Sequence, residues 1–308
     1  MRDVAIIGGG PAGLTAAIYT LRAGLSTTIF DKGLYGGQAA ITSEIENYPA
    51  ILKISGADFA MRLYEQATSL GAELLFEEVE GLDLNSQIKI IKTKENEYKA
   101  KTVIIASGAK RRTLGCEGEA EFIGKGVSYC ATCDGAFFED KDIAVVGGGN
   151  TALEDALFLA NICNSVTLIH RRDSFRAQKF LVDAVIKNEK ISILYHHIVE
   201  KIQGKDRVSS LQIKDLNKSQ SRELNVSAIF IAIGLLPDTN LFKGLLPLDQ
   251  SGYFITDESC TSKIPGVYIA GDCRKKPLRQ IVTACSDGAI SAFSAATYLN
   301  ASSNWKTN

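Results

Sequence analysis

The sequence predicts an α/β protein built from two parallel-sheet units of related design. The first observation is the length of 308 residues, which at roughly 150 residues per domain suggests two domains. The second is a short apolar run at residues 4–7 that leads into a glycine-rich turn at residues 8–13. The third is the return of the same pattern at residues 142–152. Two copies of a strand, turn and helix therefore set the expected architecture.

The first copy is a complete βαβ unit. Residues 4–7 read as a buried parallel strand, residues 14–23 as a helix ended by Gly24, and residues 26–30 as a second strand followed by Asp31. The turn between them, GGGPAG, has the glycine spacing of the dinucleotide fingerprint, which allows a tight turn, close approach to a pyrophosphate and close packing of helix and strand. This complete context favours nucleotide binding over a turn without a ligand. The candidate residues are Gly8, Gly10, Pro11, Ala12, Gly13 and Asp31.

The rest of the first unit alternates long loops and strands. Residues 33–49 form a long loop, and loops of this length are often functional. Residues 57–70 have a helical apolar period, residues 73–102 alternate as in an antiparallel meander, and residues 103–106 read as another buried strand. The candidate binding residues in the loop are Gly36, Gly37, Gln38 and Asn47.

The second copy repeats the first at the same spacing. A strand at 142–146, the turn GGGNTA at 147–152, a helix at 153–161 and a strand at 165–169 follow one another. Gly8 to Asp31 and Gly147 to His170 are both separated by 23 positions. The candidate residues of this turn are Gly147, Gly149, Asn150, Thr151 and Ala152.

The two copies differ in charge where the second strand ends. The first has a carboxylate, which accepts a hydrogen bond from a free ribose 2′-hydroxyl and repels a phosphate. The second has a basic group, and guanidinium binds phosphate bidentately, so this copy suits NADP rather than NAD. A solvated basic patch is the alternative, but it is disfavoured at this position of a βαβ unit. The basic group comprises His170, Arg171, Arg172 and Arg176.

Residues 193–299 supply the last predicted strands of the two units and a C-terminal helix. Residues 193–212 read as strand and turn, residues 228–234 as the closing strand of the second unit, and residues 267–272 as a last buried strand, with a helix at 284–299. Residues at the carboxyl ends of strands are placed to meet a ligand. The candidates here are Gly234, Gly271, Asp272, Arg279 and Gln280.

Two cysteines, Cys130 and Cys133, lie shortly before the second glycine turn. A pair at this spacing can close a small disulfide ring or bind a metal, but structural zinc usually needs two such pairs. The other five cysteines are isolated in sequence and there are only three histidines, so we expect a redox pair and no metal. A helix that begins here would favour the reactive thiolate, and Asp134 could exchange a proton with a thiol.

Composition limits the classes of partner. The net charge of −1 gives no electrostatic reason to expect nucleic acid or an anionic membrane. There is no apolar run long enough for a membrane span and no signal-peptide pattern, so we expect a cytoplasmic protein. In that reducing compartment a close cysteine pair is catalytic or metal-binding rather than part of a disulfide framework. Because NADPH delivers a hydride, a flavin is the expected relay to a disulfide, and the first turn would bind FAD.

In their order along the chain, these motifs resemble those of bacterial low-molecular-weight thioredoxin reductases. The resemblance covers essentially the whole chain and implies two Rossmann-like, three-layer ββα domains, the second inserted into the first. An FAD domain would comprise residues 1–112 and 244–308, and an NADPH domain with the cysteine pair would comprise residues 113–243. It also implies thioredoxin as the substrate, a homodimer, and rotation of the domains between two states.

The resemblance also implies individual roles. Asp272 would bond the ribityl chain of the flavin, with Arg279 and Gln280 along the isoalloxazine edge. Cys133 would be the thiol nearer the flavin and Asp134 the acid and base. The departures are a Ser-Gly-Ala turn at 107–109 and additional cysteines, of which Cys116, Cys273 and Cys285 lie near motif segments, and we expect Cys273 to be a packed bystander.

Two other functions remain open at this point. A flavin reductase of similar sequence that takes electrons from ferredoxin is disfavoured by the basic group at 170–176. A non-catalytic nucleotide sensor, whose cysteine pair is a switch or zinc site, would have no need of two differently charged nucleotide sites.

Overall fold

The computed structural model describes residues 1–33, 35–42 and 44–304. The chain forms two compact units, of which one comprises Met1–Lys110 with Leu236–Asn308 and the other Arg111–Leu235. The second unit is thus inserted into the first along the sequence, with divisions after residues 110 and 235. None of the helices in the described part of the chain combines the length and apolarity needed to cross a bilayer.

The elements follow one another in three segments. The first contains β1 Arg2–Ile7, α1 Pro11–Arg22, β2 Thr27–Phe30, α2 Gly37–Ala40, α3 Gly56–Ser69, β3 Glu73–Leu75, β4 Val79–Asp83, β5 Lys89–Thr93, β6 Glu97–Ile105 and β7 Ala109–Arg111. The second contains β8 Val127–Ser128, α4 Ala131–Asp134, β9 Asp142–Gly147, α5 Asn150–Ala160, β10 Ser165–Ile169, α6 Lys179–Lys187, β11 Ile191–Leu194, β12 His197–Gly204, β13 Val208–Asp215, β14 Gln220–Asn225 and β15 Ala228–Ala232. The third contains β16 Leu235–Pro237, β17 Val267–Ile269 and α7 Ile281–Asn304.

The first unit has one main sheet in the order β3-β2-β1-β6-β5-β4, with β17 also paired to β6. Strands β2, β1, β6 and β17 run parallel, whereas β4, β5 and β6 form an antiparallel meander. The meander predicted for residues 73–102 is present from β4 onward, since β3 instead pairs in parallel with β2. The separate strand predicted at 103–106 is the second half of β6, because its alternating first half continues into a fully buried apolar run.

The core of the first unit packs α1 against α7 through small side chains. Ala12, Ala16, Ala292 and Ala295 are buried in this cluster. A Cβ on Gly288 would overlap the Ala12 carbonyl oxygen, so the two helix backbones lie in direct contact. The close helix packing fixes the start of α1, where the first glycine turn ends.

The second unit has a five-stranded parallel sheet in the order β11-β10-β9-β15-β8. A three-stranded antiparallel sheet, β12-β13-β14, belongs to the same unit. The segment β9-α5-β10 has the same order and parallel pairing as β1-α1-β2, so the internal repeat is a repeat of structure. The prediction of an α/β fold with two Rossmann-type units is confirmed.

Candidate functional site

The first glycine turn connects β1 to α1 and leaves one face of its backbone open. Gly8 has a φ of 108°, and a Cβ there would overlap the Ala106 carbonyl. A Cβ on Gly13 would overlap the Gly8 carbonyl, so helix and turn touch. A Cβ on Gly10, the N-cap of a helix that starts at Pro11, would meet nothing within 4 Å. Because Gly10 presents its backbone at the start of α1, a phosphate-bearing ligand could approach the chain there.

Asp31 lies against this turn. Its Oδ2 accepts from the Gly9 amide at 2.6 Å and its Oδ1 accepts from the Gly33 amide at 2.8 Å. These bonds fix the carboxylate beside the turn, and each oxygen has a further lone pair for a ligand hydroxyl. The structure therefore brings the predicted acid and the predicted turn together.

Residues of the loop after β2 lie beside the first glycine turn and the start of α7. Gly36, at φ 93°, donates its amide to the Gly9 carbonyl at 2.7 Å, and a Cβ on Gly37 would lie 3.3 Å from the Gly10 Cα. Gln38 is exposed in α2, a short helix that the sequence did not indicate. The Nδ2 of Asn47 donates to Gln280 Oε1 at 3.1 Å and so joins the loop to the start of α7.

The turn after β17 meets the start of α1 from the other side. A Cβ on Gly271, at φ 81°, would be 2.9 Å from the Ala12 Cβ. Within the described residues, Asp272 Oδ1 is buried without a hydrogen-bond partner, and burial raises the pKa of this carboxyl against the opposing effect of Lys276 and Arg279. A buried acceptor of this kind is normally satisfied, so it fits a ligand that donates from a hydroxyl. Arg279 donates to the Asp272 carbonyl at 3.2 Å.

A buried charge cluster that the sequence analysis missed supports this turn. Asp287 forms ion pairs with Arg274 and Lys276, both at 2.6 Å, and accepts from the Gly271 amide at 2.9 Å. The signal available in the sequence was that Asp287 is the only charged residue between positions 281 and 304. A charge within an otherwise uncharged helix indicates a specific partner.

The second glycine turn has the same backbone plan with different side chains around it. A Cβ on Gly147 would overlap the Ala232 carbonyl, whereas one on Gly149 would meet nothing within 4 Å. The Asn150 side chain accepts from the Gln178 amide at 2.9 Å. Thr151 is exposed at the start of α5, whereas Ala152 is buried in the core.

The predicted basic group divides into one buried and three more exposed residues. His170 is buried and its ring packs against Gly148. The His170 Nε2 lies 3.0 Å from the Ser174 carbonyl oxygen. Arg176 donates its amide to the Gly148 carbonyl at 2.8 Å and exposes its side chain. Arg171 is exposed and Arg172 partly so. The structure thus places positive charge next to the turn, with His170 beneath it as a packing residue.

Gly234 follows β15 in the same unit with a φ of 99°. Its carbonyl accepts from the Arg112 amide at 3.2 Å. The contact joins the beginning and the end of the inserted unit. A ligand role for Gly234 thus stays a prediction.

The cysteine pair is a disulfide, with Cα atoms of Cys130 and Cys133 5.3 Å apart. Cys130 is the N-cap of α4, so Cys133 lies in the first turn of that short helix. Ser128 Oγ lies 2.6 Å from Asp134 Oδ2 and accepts from the Cys130 amide at 3.1 Å. Both cysteines and Asp134 are partly exposed, so a partner can reach them.

The remaining cysteines are free thiols with little nucleophilic character. Burial raises the pKa of Cys116 and of Cys273 to about 11 and that of Cys260 to about 12. Burial also raises the pKa of Cys163 and Cys285. A protonated thiol is a poor nucleophile, so the disulfide pair is a better candidate for redox chemistry than the five free thiols.

Comparison with known proteins gives one family. The pattern of the pyridine nucleotide-disulphide oxidoreductases matches residues 2–288. The chain is 45% identical over 306 residues to a thioredoxin reductase of Peptoclostridium acidaminophilum, with 97% of each chain covered. It is 42% identical to a thioredoxin reductase of Bacillus subtilis, in an alignment that covers 96% of this chain and 94% of the relative. The crystal structure of a thioredoxin reductase from Streptococcus pyogenes superposes with a TM-score of 0.94 at 43% identity, over 98% of this chain and 99% of that one.

Proposed function

Because this chain belongs to the pyridine nucleotide-disulphide oxidoreductase family, we propose that it is an NADPH-dependent thioredoxin reductase that uses FAD and the Cys130–Cys133 disulfide. The chain is an oxidoreductase that uses a flavin and a pyridine nucleotide, as its full-length relatives indicate. The observation that carries the proposal is a partly exposed disulfide in the same unit as a glycine turn flanked by arginines. A site for the reductant and a disulfide that a partner can reach are the entry and the exit of an electron path to a protein disulfide, and the flavin is the relay between them.

We assign FAD to the first unit and NADPH to the second. The predicted boundaries at 112/113 and 243/244 lie two and eight residues beyond the divisions between the compact units, which follow residues 110 and 235. In the first unit, the open backbone at Gly10 would receive the pyrophosphate and Asp31 a ribose hydroxyl. The buried, unbonded Asp272 Oδ1 would accept from a ribityl hydroxyl, which explains why no described protein donor reaches it. Bound there, a flavin couples hydride transfer to disulfide reduction.

Further contacts follow for both nucleotides. Gly36 and Gly37 lie against the backbone of Gly9 and Gly10, while Arg279, Gln280 and Asn47 would lie along the flavin edge. In the second unit the pyrophosphate would lie on the open backbone of Gly149 at the start of α5. The 2′-phosphate would be bound by the side chains that follow the second strand, namely Arg171, Arg172 and Arg176.

The chain's own chemistry is thiol–disulfide exchange. Two electrons and one proton convert the Cys130–Cys133 disulfide into a thiol and a thiolate, and Asp134 would carry the proton. The thiolate attacks one sulfur of the thioredoxin disulfide, forming a mixed disulfide and releasing a partner thiolate that takes up a proton. The second cysteine then attacks the mixed disulfide, so the internal disulfide reforms and thioredoxin leaves as a dithiol. Each turnover thus moves two electrons and two protons to the partner.

We further propose a cytoplasmic homodimer that rotates its domains during turnover. Five free cysteines support a reducing compartment, because thiols persist there. The dimer and the rotation follow from the family resemblance. Sedimentation of the holoenzyme tests the dimer, and a monomer at micromolar concentration would refute it.

Stopped-flow absorbance tests the electron path. NADPH should bleach the yellow flavin in both wild type and Cys133→Ser, but only wild type should reduce thioredoxin. Cys116→Ser, a free and half-buried cysteine of the same unit, is the matched control and should behave as wild type. Equal thioredoxin reduction by Cys133→Ser would refute the assignment, and stoichiometric zinc without turnover would favour a nucleotide sensor. Equal efficiency with NADH would refute the role of the arginines.

A further inference from the structure

We propose that Ser128 is a positioning residue that aims the Asp134 carboxyl, an inference that rests on the proton-transfer role proposed for Asp134. Ser128 is buried, at 4% exposure, in β8, the edge strand of the second unit's parallel sheet. It pairs with Phe230 of β15, so its backbone is fixed by the sheet. The side chain therefore projects from a paired strand, two residues before the first cysteine.

The hydroxyl of Ser128 makes one donor and one acceptor bond toward the disulfide loop. It donates to Asp134 Oδ2 at 2.6 Å, and the Cys130 amide donates to it at 3.1 Å. The Cys130 carbonyl lies farther from this hydroxyl, at 3.4 Å. A hydroxyl has one proton, and a carboxylate at 2.6 Å accepts it more strongly than a carbonyl at 3.4 Å. Ser128 thus links the backbone of one cysteine to the carboxylate that follows the other.

A second support acts on the same carboxylate. Asp134 attracts the partly buried guanidinium of Arg111, which lies 5.2 Å from the centre of the Tyr129 ring. The Tyr129 hydroxyl in turn donates to Glu119 at 2.8 Å. Glu119 is fixed by two backbone amides, at 2.9 and 2.7 Å. Asp134 therefore has a bonded hydroxyl donor in Ser128 and the attraction of a nearby cation in Arg111.

This arrangement matters because proton transfer depends on geometry. A carboxyl must come within about 2.6–3.2 Å of the atom that gives or takes the proton. An error of about 1 Å in the position of a catalytic group can cost about 100-fold in rate. Ser128 bonds the Cys130 backbone and the Asp134 carboxylate, and its proposed part is to hold that carboxyl in place while the cysteines react.

The test compares turnover of the holoenzyme variants with thioredoxin as substrate. We expect Ser128→Ala to lower kcat about tenfold, to leave the KM for thioredoxin within about twofold, and to leave bleaching by NADPH unchanged. Ser128→Thr, which keeps the hydroxyl, should stay within about threefold of wild type. Ser210→Ala removes an equally buried serine of the same unit and should turn over as wild type.

A double-mutant cycle with Asp134→Asn makes the inference decisive. If Ser128 acts through Asp134, Ser128→Ala should slow the Asp134→Asn enzyme by less than about twofold. An equal slowing in both backgrounds, or no slowing in wild type, would overturn the positioning role. If Asp134→Asn itself turned over normally, the proton-transfer role of Asp134 would fail, and the inference with it.

Discussion

Removal of the Asp287 carboxylate should destabilise the first unit strongly. The side chains of Arg274, Lys276 and Asp287 are only 6–10% exposed, and the one carboxylate is paired with both cations. It also accepts from the Gly271 amide, which begins the turn that carries Asp272. Asp287→Ala therefore leaves two buried cations and one buried amide without this acceptor.

The expected loss can be estimated from these contacts. Removing one partner of a buried ion pair costs about 3–5 kcal/mol. A buried amide that loses its acceptor adds about 1–3 kcal/mol, although the two effects overlap because they share one carboxylate. We expect a loss of about 4 kcal/mol in the free energy of unfolding, together with weaker flavin retention because the Gly271 turn is no longer fixed.

Urea unfolding of the holoenzyme, followed by far-UV circular dichroism and flavin fluorescence at a fixed excess of FAD, measures this loss. The control is Glu97→Ala, which removes an exposed pair with Lys92 at 3.8 Å and should cost less than about 1 kcal/mol. The effect of Asp287→Ala should also be insensitive to salt, since buried pairs are poorly screened. A loss no larger than that of Glu97→Ala would refute the reasoning, because it would mean that the cations find other partners or water.

Three further outcomes are expected. Burial raises the pKa of Asp155 to about 7 from 3.8, so between these values the folded state binds a proton that the unfolded state has lost. The free energy of unfolding should therefore fall by at most about 4 kcal/mol as the pH rises from about 4 to 7. Asp155→Asn should remove this dependence when unfolding is measured at several pH values. Gly126→Ala should destabilise the protein by about 2 kcal/mol or more, because its Cβ would lie 2.7 Å from the Val208 Cβ and its φ is 116°. Gly115→Ala also has a positive φ but has open space around it, so it should cost about 1 kcal/mol in the same denaturation assay. Cys273→Ala should keep turnover within tenfold of wild type, because its thiol is fully buried and protonated; a larger loss of kcat would show that it takes part.

Much of the fold was predictable because both glycine turns lie between a buried strand and a helix. The helix predicted at 14–23 is Pro11–Arg22, and that predicted at 153–161 is Asn150–Ala160. Both begin earlier than predicted because the glycine before each start serves as its N-cap, so the turn residues that follow are already helical. The short helix α2 was not predicted because a single turn has too few residues to show an apolar period.

The parts of the site that could not be predicted depend on contacts between residues distant in sequence. Asp287 contacts Arg274 and the Gly271 amide because α7 packs against α1 and so lies beside the turn that follows β17. His170 was predicted as part of the basic group because it occupies the position of Asp31 in the repeat. Its ring covers Gly148, since that glycine has no side chain and leaves room for an imidazole. Position in a repeat predicts where a residue lies, but the neighbouring volume decides where its side chain points.

The comparison of the two turns shows how one backbone plan can serve two nucleotides. In the first, Asp31 accepts a hydrogen bond from the Gly9 amide and so places negative charge beside the turn. In the second, a buried His170 takes the corresponding place and the chain binds the turn through the Arg176 amide, which leaves the guanidinium free to face outward. The residues after the second strand therefore place opposite charges beside two turns that share one backbone plan. The cysteine pair lies in the unit with the positive turn, so the proposed NADPH site and the disulfide that its electrons reach belong to one compact body.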